Sequence, residues 1–164
     1  MLEPKEREIL KILERDAKAT PDKIATMVGI PEAEVVSKIK EFKDKGIIIQ
    51  YKTLIDWEKA GEEVVYAFID VKVTPERDVG FDAVAKRIYN FREVHSLYLL
   101  SGTYDLSVVV EGKSMKEVAY FVAEKLATLD HVQGTVSHFV LKKYKVDGEI
   151  LEPAQEDKRL AVTP

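Results

Sequence analysis

A chain of 164 residues, 46% hydrophobic and 33% charged, carries enough apolar material for one ordinary domain or two small ones. It contains no cysteine, which excludes disulfides, thiolate-bound zinc and a cysteine nucleophile, and no run near the roughly 18 apolar residues of a membrane-spanning helix. The net charge of -4 is uneven: residues 1–55 carry eleven Lys/Arg against ten Asp/Glu and the remainder fourteen against nineteen, so the first third is the less acidic part without forming a strongly basic patch.

The periodicity predicts three helices in that first third. From Pro4 to Asp16, Ile9, Leu10, Ile12 and Leu13 recur at helical spacing, with Glu6 and Glu8 in the early turns where the helix dipole favours them. In "TPDKIATMVGI", Thr20 is the N-cap, Pro21 the first helical residue, Ile24, Ala25 and Val28 the inward face, and Gly29 the stop. "PEAEVVSKIKEFKDKG" gives a longer helix with Val35, Ile39 and Phe42 at i, i+4 and i+7, Val36 widening the stripe and Gly46 closing it. Two helices joined by the tight turn "VGIP" behind a leading helix form the helix-turn-helix arrangement, whose last helix is offered to a DNA major groove; a plain three-helix bundle fits the same pattern. The following "IIIQYKTLID" reads as two short strands about Tyr51 and Lys52, a β-ribbon wing.

Steps of 100° around the third helix turn Ala33, Ser37, Lys40, Glu41 and Asp44 away from the apolar stripe, with Glu34 and Lys38 at its margins. The candidate DNA-contacting residues are therefore Ala33, Glu34, Ser37, Lys38, Lys40 and Lys43, the lysines for phosphates and Ser37 for a phosphate or a base edge. Glu34 and Glu41 repel phosphates unless they accept from cytosine amino groups, so affinity per copy is expected to be modest and several copies are expected to act together.

Residues 1–56 are thus expected to form a winged helix-turn-helix domain, 57–63 ("WEKAGEE") a linker, 64–145 a second domain and 146–164 an extended tail. In the second domain Val65, Ala67, Ile69, Val71 and Val73 alternate with Tyr66, Phe68, Asp70 and Lys72, which marks a strand over Val64–Val73. Phe81, Val84, Ala85 and Ile88 mark a helix, residues 94–101 and 105–111 two strands, Met115 to Leu129 a long helix, and Val132 to about Lys143 a last strand. The order βαββαβ predicts an α+β, ferredoxin-like sandwich, four antiparallel strands with both helices on one face. Tyr66, Phe68 and their neighbours then leave an apolar face bare, which a second copy of the chain is expected to cover as a two-fold dimer.

At this point the sequence resembles the leucine-responsive regulatory protein/AsnC, or feast/famine, family of transcription regulators. The likeness runs from Leu2 to about Lys143 and rests on "LEPKEREILKILERDAKATPDKIATMVGIPEAEVVSKIKEFKDKGII", similar to the family's helix-turn-helix segment, and on "SGTYDLSVVVEG", similar to its Gly-x-Tyr-Asp signature. The resemblance implies a DNA-binding regulator acting on double-stranded promoter or operator DNA, cytoplasmic and nucleoid-associated, with ferredoxin-like domains that pair into homodimers and join further into octamers. It also implies an effector, an amino acid or related metabolite, bound between dimers beside the Gly-x-Tyr-Asp loop. Lys38 stands where the family has a basic residue, whereas Pro31, Val36 and Ser37 depart from its usual serine, small polar residue and arginine. DNA binding is therefore implied, and a target sequence is not.

"SGTYD" has two readings. As a turn, Gly102 takes a positive φ in a three-residue hairpin and Asp105 bonds nearby amides. As the site the family implies, Gly102, Thr103, Tyr104 and Asp105 hold the effector, Asp105 facing its ammonium and the turn amides its carboxylate, with Thr135 and Ser137 completing the pocket. No cofactor, metal or catalytic residue is expected: His95, His131 and His138 show no metal spacing, and no phosphate loop or nucleophile motif is present. Two alternatives share the architecture, a siroheme-decarboxylase-like enzyme using His95 or His138, and a partner sensor that does not itself bind DNA.

Overall fold

The computed structural model describes residues 2–75 and 80–151. The chain divides into two units, Met1–Ile55 and Asp56–Pro164.

The first unit holds helices α1 (Pro4–Arg15), α2 (Pro21–Val28) and α3 (Glu32–Asp44). Glu3 and Glu6 form a capping box at the start of α1, the Glu3 amide donating to the Glu6 carboxylate at 2.9 Å. Pro21 opens α2, and Gly29 ends it at φ 69°, a left-handed conformation that glycine adopts without penalty; this is the turn of the helix-turn-helix. Ile9, Leu13, Ile24, Ala25, Val28, Val35 and Phe42 make the core.

No ribbon follows α3. The amides of Ile47 and Ile48 turn back to donate to the Phe42 carbonyl at 2.8 and 3.1 Å, so the apolar triplet caps the helix, and residues 49–56 form no strand. Ile48 packs on the core while Ile49 is 91% exposed. "KGII" is a helix-ending pattern, with a hydrophobic residue after the terminal glycine, and an isolated two-stranded ribbon is marginal in water without a third strand.

The second unit is built on strands β1 (Val65–Val73), β2 (Val94–Leu99), β3 (Leu106–Gly112) and β4 (Val132–Phe139), with α4 (Asp82–Tyr89) and α5 (Met115–Phe121) between them. Sheet order is β2-β3-β1-β4, every neighbouring pair antiparallel. Each helix therefore links two parallel strands with a third between them, which is the ferredoxin-like arrangement. Ala67, Ile69, Val71, Leu106, Val108 and Val110 point to the helices, where Val84, Ile88, Val118, Phe121, Val122 and Leu126 meet them.

Four details differ from the sequence expectations. The second helix is not uniform: after Phe121 it widens into a π-helical turn, Val122–Leu126, closed by the Ala127 amide donating to the Val122 carbonyl at 2.8 Å. β4 stops at Phe139, opposite Ala67 of β1, and a single further bond, from the Val140 amide to the Tyr66 carbonyl at 2.8 Å, extends the pairing. The first residues of the expected tail, 146–151, form a small hairpin with Lys145, β5 (Lys145–Val146) with β6 (Glu149–Ile150), turned by Asp147 and Gly148 at φ 48° and 90°; residues 152–164 lie outside the described part. "DG" between short strands is a type I′ turn signal that the sequence did carry.

Finally, the open sheet face is mixed rather than apolar. By register it presents Tyr66, Phe68, Asp70 and Lys72 of β1, Ser107, Val109 and Glu111 of β3, Ser96 and Tyr98 of β2, and Val136 and His138 of β4. Phe68, Val136 and Tyr98 are 46%, 38% and 55% exposed, and Asp70 and His138 pair across strands at 3.2 Å.

Candidate DNA-reading helix and effector loop

On α3 the buried residues are Val35 and Phe42, and the opposite side is open. Ala33, Glu34, Ser37, Lys40 and Lys43 are exposed, as the helical steps predict. Val36, assigned to the apolar stripe from sequence, is instead 50% exposed, because Ile9, Leu13 and Ile24 close the core around Val35 and Phe42 without it. Lys38 is half-buried: its ammonium donates to Glu6 at 2.6 Å and Glu41 at 3.3 Å. These bonds raise its pKa, with Glu6 the larger cause, and hold Glu6 below the usual carboxylate range. Lys38 thus ties α3 to α1, and a phosphate must compete with two carboxylates for it. The Lys43 ammonium lies 4.9 Å from the centre of the Tyr51 ring.

In the second unit, β2 and β3 are joined by residues 100–105, closed by the Leu100 amide donating to the Asp105 carbonyl at 2.8 Å. This is a longer loop than a three-residue hairpin, and Gly102 does not take a positive φ. A Cβ at Gly102 would meet nothing within 4 Å, so the fold of one chain makes no demand for glycine there. Among the described residues, no protein group accepts a hydrogen bond from the amides of Ser101, Gly102, Thr103 or Tyr104.

Asp105 faces inward. Its carboxylate accepts from the Val73 amide at 2.9 Å, where the β1–β4 register shifts, and pairs with the Lys72 ammonium at 3.1 Å. Its pKa is lowered, first by the Val73 amide and then by Lys72. Lys72 also donates to the Thr103 carbonyl at 3.0 Å, so one side chain fastens the loop to β1 at two points. Thr135 and Ser137 sit opposite Val71 and Ile69, two buried residues of the helix-covered face. They therefore lie on the other side of the sheet from Lys72, and one chain does not bring them to the loop.

Residues 66–150 match the family described as the Lrp/AsnC ligand binding domain, and residues 2–49 match a winged helix-turn-helix DNA-binding family. The chain belongs to the Lrp/AsnC family. It is a helix-turn-helix DNA-binding regulator with a ligand-binding domain. Its sequence is 54% identical over 164 residues to the uncharacterized HTH-type transcriptional regulator YugG of Bacillus subtilis, covering 99% of each chain. It is 32% identical over 135 residues to a regulator of Pyrococcus furiosus, PF1231, covering 82% of this chain and 88% of that one. Among solved structures, the transcriptional regulator NMB0573 of Neisseria meningitidis in complex with L-methionine superposes with a TM-score of 0.72 at 26% identity, over 89% of this chain and 94% of that one.

His95 lies 3.6 Å from Glu111 and edge-on to Tyr66, and His138 pairs with Asp70. Among the described residues no three His, Cys, Asp or Glu side chains are grouped to hold a metal. Sequence reasoning missed Lys72. The signal available was its place on the same strand face as Asp70, one residue before the strand ends.

Proposed function

We propose that this regulator is a homodimer, assembling further into octamers, that binds operator DNA in the cytoplasmic nucleoid and answers to an amino acid or closely related metabolite at the 100–105 loop, without catalytic activity. The observation that carries the effector reading is the run of four amides from Ser101 to Tyr104 with no acceptor among the described residues, beside the Lys72 ammonium. Backbone amides in series with a cation suit a carboxylate. The fold leaves Gly102 open to solvent, so a ligand can approach the backbone there. Asp105 is the nearest anion for a ligand ammonium, which it must share with Lys72. Thr135 and Ser137 join such a site only from another chain, consistent with an effector held between dimers. The methionine complex of a structural relative supports this class of ligand.

Dimerisation is supported by the exposure of Phe68, Val136 and Tyr98 on the sheet face turned away from the two helices. Pairing presents two copies of α3 to one duplex, with Ala33, Glu34 and Ser37 toward the bases and Lys40 and Lys43 toward phosphates. Lys38 reaches a phosphate only by leaving Glu6. Calorimetry with the twenty amino acids tests the effector role: at least one is expected to bind, and Lys72→Gln is expected to weaken it at least tenfold. Absence of heat across the panel contradicts the reading.

A further inference from the structure

From Glu32 to Asp44, α3 contains no arginine, asparagine or glutamine. Arginine and lysine grip guanine, and asparagine and glutamine grip adenine, at two atoms at once, so only the lysines of α3 are left for a purine. Lys38 is held by Glu6 and Glu41. What the first two turns offer outward is Glu32, Ala33, Glu34, Val36 and Ser37, all exposed. Helical steps set Ala33, Val36, Ser37 and Lys40 within one arc of about 100°, opposite Val35 and Phe42. These first turns are also the part of a recognition helix that reaches base edges.

Val36 is 50% exposed and takes no place in the core cluster of its unit. In a major groove the one complementary feature for an aliphatic side chain is the C5-methyl group of thymine, and the carboxylate of Glu34 accepts from the exocyclic amino group of cytosine. The methyl belongs to thymine, and cytosine's amino group is the one a carboxylate meets freely, because adenine sets its own beside the N7 acceptor, which opposes a negative charge. We infer that α3 reads pyrimidines: Ala33 and Val36 meet thymine methyl groups, Glu34 selects a cytosine amino group, and Lys40 and Lys43 hold the flanking phosphates. The charge of Glu34 reinforces this docking, because it is repelled from the backbone and tolerated only where a base amino group answers it. The inference rests on DNA binding by this helix and goes beyond it in naming the base edges read.

The test uses the full chain. A preferred duplex is first selected from a randomised pool, and each thymine in it is then replaced by 2′-deoxyuridine, which removes the methyl group and nothing else. Competition binding at fixed ionic strength is expected to show one or two thymines per half-site whose replacement weakens binding about fourfold, the worth of one buried methyl. Val36→Ala is expected to lose that sensitivity at one thymine while keeping the others, and Glu34→Gln to move the preference at one position from cytosine to adenine. Both positions are exposed, and thermal melting of each variant checks that the fold is intact. Thymine replacements without effect, or a methyl dependence identical in wild type and Val36→Ala, overturn the inference while leaving DNA binding in place. A pool that yields no preferred sequence overturns sequence-specific binding and the inference together.

Discussion

Replacing Phe68 with serine tests the dimer through a wholly apolar aromatic side chain that the sheet face leaves in water. Phe68 sits in the middle of β1, paired with Val109 on one side and His138 on the other, and is 46% exposed. A phenylalanine side chain presents about 200 Å² when free, so about 90 Å² per chain is available to a partner. If two copies cover each other's Phe68, about 180 Å² of apolar surface leaves water, worth about 4 kcal/mol at roughly 25 cal/mol per Å². Phe68→Ser is then expected to raise the dimer dissociation constant by roughly a thousandfold. Sedimentation across a dilution series reads this directly, and far-UV circular dichroism confirms that the strand still forms. A wild-type chain that is monomeric at micromolar concentration, or a variant that dimerises as tightly as wild type, refutes the reasoning.

Other substitutions separate the roles assigned above. Phe42→Ala empties the core of the first unit, where Phe42 is 1% exposed, and is expected to destabilise that unit by about 3–5 kcal/mol and abolish DNA binding while effector binding survives in calorimetry. Gly102→Ala is expected to leave the melting temperature unchanged, since φ is not positive and the added methyl meets nothing, yet to weaken effector binding about tenfold by obstructing the loop amides. Acid denaturation followed by fluorescence should report the Glu6–Lys38 bond. Glu6 has a lowered pKa in the folded state, so its contribution is complete above the ordinary carboxylate pKa and is lost as pH falls through the lowered one; Glu6→Gln is expected to flatten that part of the curve.

The sequence made the fold legible wherever one periodicity ran long enough. Alternation along β1 and helical stripes on α1 to α3 identify both units, because burying one face of each element is what the pattern encodes. It misled where a short apolar run had two uses: Ile47 and Ile48 read as a strand and act as a helix cap. It also misplaced Val36, since adjacency to Val35 in sequence does not decide which of the two the neighbouring helices cover. At the effector loop, residue types were legible and their partners were not. From sequence Asp105 has two uses, bonding nearby amides or facing a ligand, and its engagement by the Val73 amide and Lys72 depends on the sheet register and on the shift between Lys72 and Val73, which no local pattern specifies.

The most direct test of the account is a genomic-fragment binding experiment with the purified full chain, run with and without a panel of amino acids. The account predicts that a small set of fragments is enriched over bulk DNA and that at least one amino acid changes their affinity. Uniform, salt-sensitive retention of all fragments, indifferent to every amino acid, would contradict it.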